Sequence, residues 1–126
     1  MITSQEKQRY LRQIAIEGFG EKGQESLGRA RVLVAGAGGL GCAVCTYLAA
    51  AGIGTLRVVD HGEVELSNLN RQVLYGTQDV GKAKAPTLQA RLRDLNPGVR
   101  YETFHAAIDA ESVSGMLHGI DLVVDA

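Results

Sequence analysis

The stretch from Arg31 to Asp60 leaves few folds open to this chain. Val32-Leu33-Val34-Ala35 is a short apolar run, the pattern of a strand buried on both faces. It leads into Gly36-Ala37-Gly38-Gly39-Leu40-Gly41, a G-x-G-x-x-G sequence. Leu40 to Ala51 is long enough for a helix and alanine-rich enough to pack closely on a sheet. Leu56-Arg57-Val58-Val59-Asp60 is a second strand with an acid at its carboxyl end. Strand, helix and strand form a βαβ unit, which implies a parallel sheet and a right-handed crossover. The expected class is α/β: a Rossmann-like, open, mainly parallel sheet with flanking helices.

Each glycine of the loop has a mechanical reason to be there. Gly36 makes the tight turn, Gly38 lets backbone approach a phosphate, and Gly41 brings helix and strand close together. Gly39 lies in the same turn. Free N–H groups and the macrodipole at the helix N-terminus favour a bound phosphate. Asp60 is placed to accept hydrogen bonds from ribose hydroxyls. The loop alone does not choose the nucleotide, because dinucleotide dehydrogenases share it.

The rest of the chain extends this unit. Thr3-x-x-Glu6 is a capping box opening a helix through about Ile16, with Tyr10, Leu11 and Ile14 on one face. Gly18, Gly20 and Gly23 break it, and a short helical piece follows to Leu27 and Gly28. Residues 1–30 are therefore expected as an N-terminal helical segment and residues 31–126 as the nucleotide-binding portion of a single incomplete domain. Residues 61–80 show little periodicity and read as a long loop, the kind that usually carries function in a compact domain. A helix is expected over Lys82 to Asn96. Pro86 is tolerated only in its first turn, which moves the start towards Ala85. Val99 to Phe104 reads as a strand, Asp109 as the cap of a short helix to Leu117, and Ile120 to Asp125 as a further strand. The sheet is thus expected to stop after about its fourth strand, at Ala126, where such folds normally continue into a ligand-binding loop.

Composition narrows the functional classes. Lys+Arg 13 against Asp+Glu 14 gives a net charge of -1, which argues against a general nucleic-acid or membrane-surface binder. No segment resembles a signal peptide or a membrane span, so a cytoplasmic protein is expected. Cys42 and Cys45 have C-x-x-C spacing but lack a second Cys or His pair for zinc. They are read as buried small residues within the helix. His61, His105 and His118 have no partner at metal-ligand spacing, and Tyr75 is read as packing. No metal ligand is expected within the chain.

The segment that discriminates between nucleotides is Val64-Glu65-Leu66-Ser67-Asn68-Leu69-Asn70-Arg71-Gln72, with Val80-Gly81-Lys82-Ala83-Lys84 after it. A dehydrogenase needs no cations beyond the helix N-terminus. An enzyme that splits the α–β bond of ATP must stabilise charge on departing pyrophosphate. Arg71 and Lys84 are suited to that, with Arg12 as a third candidate cation. Taken with Arg9-Tyr10-x-Arg12-Gln13, the glycine loop and Asp60, these elements resemble the bacterial E1-like activating enzymes, the family of the MoeB, ThiF and HesA proteins. The resemblance runs from about Arg9 to Asp125.

That resemblance implies adenylation of the C-terminal carboxylate of a small ubiquitin-like sulfur carrier, for molybdopterin, thiamine or a related sulfur pathway, with ATP and magnesium. It implies that Gly39 lies against the nucleotide, Asp60 holds the ribose and Ser67, Asn68, Leu69, Asn70 and Arg71 line the ATP site. Lys84 would contact phosphate, and Arg12 would be an arginine finger reaching into the other subunit of a homodimer. The family's Thr-Asp-Asn element with its magnesium-binding Asp, its two zinc-holding C-x-x-C pairs and any later sulfur-accepting cysteine have no match among residues 1–126. Zinc is expected only in a further segment, and the chain alone is expected to be weak or inactive. Alternatives are an NAD-dependent oxidoreductase domain, a non-catalytic E1-like subunit, or the tRNA-modifying branch of the fold.

Overall fold

The computed structural model describes residues 1–126. Its centre is a four-stranded sheet of β1 (Arg31–Ala35), β2 (Thr55–Asp60), β3 (Arg100–His105) and β4 (Leu122–Asp125), in the order β3-β2-β1-β4. Every neighbouring pair is parallel, with Leu33 opposite Arg57 on one side and Val123 on the other. The chain builds outward from β1 to β2 and β3, then returns to place β4 on the other side of β1. The switch point of the topology, where this class of sheet opens a crevice, therefore falls at the carboxyl ends of β1 and β4.

The two faces are covered unequally. On one, Val32, Val34, Leu56, Val58 and Tyr101 pack against Cys42, Cys45 and Ala49 of α4 (Gly39–Ala51) and Leu88 and Leu92 of α5 (Lys84–Leu95). On the other, Leu33 and Val59 meet Met116 of the short α6 (Val113–Leu117). Arg57 is buried on this second face, where its Nε donates to Glu102 at 2.7 Å and its guanidinium also donates to the carbonyls of Met116 and His118. One arginine thus satisfies the orphan carbonyls at the end of α6 and ties that helix to the sheet.

Several boundaries differ from the sequence expectation. The capping box forms as read, with Thr3 and Glu6 exchanging both hydrogen bonds. The first helix nevertheless divides into α1 (Ser4–Arg9) and α2 (Leu11–Ile14), because Tyr10 is drawn inward to accept from Asn96 Nδ2 at 2.8 Å. That turn leaves Leu11 exposed, not on a shared face with Tyr10. The next helix, α3, is longer than read, at Gly20–Arg29. Residues 61–80 hold two single 3₁₀ turns, Leu66–Asn68 and Thr77–Asp79, and Glu63 bridges to Ala83. Helix α5 starts at Lys84, which puts Pro86 in its first turn as its missing N–H requires. Asp109 does not cap α6. Its Oδ1 accepts from the N–H groups of Glu111 and Ser112 in the turn before it.

Candidate functional site

The glycine loop follows β1 and opens α4 at the topological switch point. Gly36 has φ +111°, a conformation that L side chains rarely adopt, and a Cβ there would strike the carbonyl of Ala126. A Cβ on Gly41 would strike the carbonyl of Gly36. The first glycine is thus required by the turn and the third by the contact between α4 and the loop. Helix α4 spans 13 residues and no side chain caps its start, so the N–H groups of Gly39, Leu40 and Gly41 have no partner within the chain. Such an end attracts anions through both its donors and its dipole.

Asp60 closes β2 and braces the loop. Its Oδ2 accepts from Ala37 N–H at 2.8 Å and its Oδ1 from Gly62 N–H at 2.6 Å. The loop beyond it carries the cations back to the same place. Arg71 lies over the second half of the glycine turn, where a Cβ on Gly39 would sit 3.6 Å from its Cδ. Its guanidinium donates only to neighbours in its own turn, the Ser67 carbonyl and Asn70 Oδ1. Lys84 begins α5 beside Gly62, whose added Cβ would meet both Asp60 Oδ1 at 3.0 Å and Lys84 Cδ at 3.6 Å.

Lys84 stands out among the basic side chains. Arg31, Arg57 and Arg100 are paired with Glu102, Lys82 and Arg91 with Asp79, and Lys7 with Glu21. Arg9, Arg12, Lys22, Arg29, Arg71 and Arg93 have no acidic partner but are exposed. Lys84 alone is half-buried, unpaired and placed at the first position of a helix, where the dipole disfavours a cation. An anion held between the two helix starts removes that cost.

The fold does not bring all the named residues to the loop in the same way. Ser67 and Asn70 are exposed in the Arg71 turn. Asn68 is buried and folds the turn itself, its Oδ1 accepting from Glu65 N–H at 2.9 Å, while Leu69 packs against the core. Arg12 sits elsewhere. Its neighbour Gln13 donates to the carbonyl of Ala51 at 2.7 Å, at the end of α4 opposite the glycine loop. Gln72 was given no role by sequence reasoning although it ends the motif. Tyr75, read as packing, is indeed buried but also donates to the carbonyl of Ala37 at 2.7 Å. Only contact geometry separates such a residue from an ordinary core tyrosine.

Cys42 and Cys45 are free and buried in α4, and burial pushes the Cys45 thiol up to about 12. A thiol so protonated is a poor nucleophile at neutral pH. No His, Cys, Asp and Glu group of three or more is assembled to hold a metal, and both oxygens of Asp60 are engaged by backbone. The residues present do not themselves build a magnesium or zinc site. No helix is long and apolar enough to cross a membrane.

Comparison with known proteins follows the same lines. The model of the ThiF family matches residues 10–126. A sulfur carrier protein adenylyltransferase of Thermus thermophilus is 51% identical over 124 residues, covering 98% of this chain and 46% of the relative. A molybdopterin-synthase adenylyltransferase of Salmonella typhimurium is 42% identical, covering 98% of this chain and 50% of the relative. The chain therefore spans about half the length of these relatives. Among solved structures, E. coli tRNA N6-threonylcarbamoyladenosine dehydratase in complex with ATP superimposes with a TM-score of 0.91 at 31% identity, covering all of this chain and 51% of that one.

Proposed function

The chain belongs to the ThiF family, and from that membership we propose that it forms the ATP-binding part of an adenylyltransferase acting on a ubiquitin-like sulfur carrier. The observation that carries the reading is Lys84: a half-buried, unpaired cation at a helix start, facing the free N–H groups of α4 across Asp60. A phosphate chain between them satisfies both the cation and the helix N–H groups, while the Asp60 carboxylate stays bound to the N–H groups of Ala37 and Gly62. Gly36, Gly38, Gly39 and Gly41 shape the loop around it, Asp60 takes the ribose, and Arg71 swings from its own turn onto the phosphates. Ser67, Asn68, Leu69 and Asn70 hold Arg71 in range. The higher identity to the carrier-directed relative, 51% against 31% for the tRNA-modifying dehydratase, favours the carrier as substrate.

The reaction asks little acid–base chemistry of the protein. A C-terminal carboxylate, with a reference pKa of roughly 3.5, is already ionised near neutral pH. One of its oxygens attacks the α-phosphorus of ATP, the new O–P bond forms, and the bond to the bridging oxygen breaks to release pyrophosphate. The acyl-adenylate remains. The enzyme's task is to bring anions together and to stabilise the negative charge that leaves. Magnesium would neutralise part of that charge when bound with ATP. Arg12 acts in the site of a second copy in a homodimer, and the setting is cytoplasmic.

Calorimetric titration of the chain with ATP and, in parallel, NAD tests this. ATP should bind, and both Arg71→Ala and Lys84→Met should weaken it by about tenfold or more, as expected for loss of one charge-assisted contact. Preferential NAD binding indifferent to both substitutions would overturn the adenylation reading in favour of a dehydrogenase-type domain.

A further inference from the structure

Three residues of one short segment are matched to three consecutive residues of the glycine loop. Arg71 lies against Gly39. A Cβ on Gly38 would sit 3.6 Å from Gln72 Nε2, and Tyr75 donates to the carbonyl of Ala37. Ala37 is held from both ends, since its N–H donates to Asp60 and its carbonyl also accepts a longer contact from Cys42 Sγ at 3.6 Å. The peptide that leads into the phosphate turn is therefore fixed by side chains from three different elements.

Gln72 is the unexplained member. It is 3% exposed, its Oε1 is buried without a partner, and its carboxamide makes no hydrogen bond within the chain. Buried amides are nearly always paired, because desolvating one without compensation is costly. This one lies beside the glycine whose missing side chain admits a phosphate. The atom turned towards Gly38 is Nε2, a neutral donor that also has no partner within the chain and so suits a phosphate oxygen.

Resting on the nucleotide reading above, we propose that Gln72 is a further nucleotide-binding residue and that Tyr75 is a positioning residue for the loop on which it works. Gln72 donates from Nε2 to a phosphate oxygen beside Gly38. Tyr75 holds the Ala37 carbonyl so that the N–H groups of Gly38 and Gly39 face that same phosphate. Neither residue touches the adenosine.

The probes are ATP and adenosine, titrated by calorimetry into the unmodified chain, Gln72→Glu, Gln72→Leu and Tyr75→Phe, with amide hydrogen exchange read at Gly38 and Gly39. Gln72→Glu should lower ATP affinity by about tenfold or more through repulsion of phosphate, and Gln72→Leu by roughly threefold to tenfold through loss of a donor. Tyr75→Phe should cost ATP roughly threefold to tenfold as well and accelerate exchange at both glycines. Adenosine affinity should stay unchanged in all three, which a general loosening of the fold cannot produce. Unchanged ATP affinity, or equal losses for ATP and adenosine, overturns the proposal while leaving the nucleotide reading standing. If the unmodified chain binds neither ligand, the nucleotide reading itself falls and takes the proposal with it.

Discussion

Gly41 and Gly28 show how much one hydrogen-to-methyl change depends on its neighbours. A Cβ on Gly41 would collide with the carbonyl of Gly36, and backbone cannot move aside as a flexible side chain can. Gly41→Ala should therefore lower the unfolding free energy by about 2 kcal/mol or more, in the range of overpacking within a well-packed contact. Gly28 lies in α3 with open space where its Cβ would go. Gly28→Ala should raise stability by about 0.5–1 kcal/mol, since it only removes backbone freedom from the unfolded chain. Denaturant titration of both variants checks the pair, and similar effects at the two sites would break the argument. The spacing of the glycines made Gly41 legible in the sequence, because close helix–strand packing is part of what the motif means. Gln72 and Tyr75 were not legible in the same way. Their contribution depends on which backbone atom the long loop after β2 brings beside them, and no local pattern encodes that meeting.

At the level of elements, the second half of the loop after β2 is held by one carboxylate. Asp79 is buried, accepts from Gly76 N–H at 2.9 Å, and pairs with Lys82 and Arg91 at 3.1 Å each. The Gly76 hydrogen bond, then Lys82 and Arg91, hold its carboxyl at about 2, below the usual 3.8. Because the unfolded chain then binds the proton more readily, stability rises with pH between those values. The contribution of Asp79 should be complete above about pH 4 and fade as pH falls through 2. Asp79→Asn should cost about 1–2 kcal/mol at neutral pH, most of it from the buried end of the network, since both cations are partly exposed and screened. Thermal melts from pH 2 to 7 should show the difference between the two proteins closing as the acid limb is approached. A constant difference across that range would remove Asp79 from the acid response. The sheet that this loop serves was readable from short continuous apolar runs and their order. The loop's own turns were not, because they are fixed by Asn68 and Asp79 side chains reaching their own backbone, which periodicity does not register.

On the scale of the whole molecule, the question is where Arg12 can act. Helix α4 spans 13 residues, about 20 Å at the usual rise per residue. The glycine loop opens one end of it, and α2 is bonded to the other through Gln13 and the carbonyl of Ala51. Gln24 joins the same carbonyl at 3.0 Å, so α2 and α3 are anchored together at the far end. An arginine side chain is much shorter than the helix between them. Arg12 therefore cannot serve the glycine loop of its own chain without unfolding that anchor, and any role in nucleotide binding must be in a second copy. Two crippled chains can test this, because they should repair one another. A chain carrying Arg12→Ala keeps its own Lys84, and a chain carrying Lys84→Met keeps an Arg12 to lend. In an equal mixture that exchanges subunits freely, about a quarter of the sites should combine an intact Lys84 with an intact Arg12 from the partner. Calorimetry with ATP should then recover about that fraction of full-affinity sites, where neither variant alone has any, and sedimentation should show the mixture as dimers. A monomeric chain whose ATP affinity ignores Arg12→Ala would show instead that Arg12 is only a solvated residue on α2, and that phosphate recognition rests on residues of a single chain.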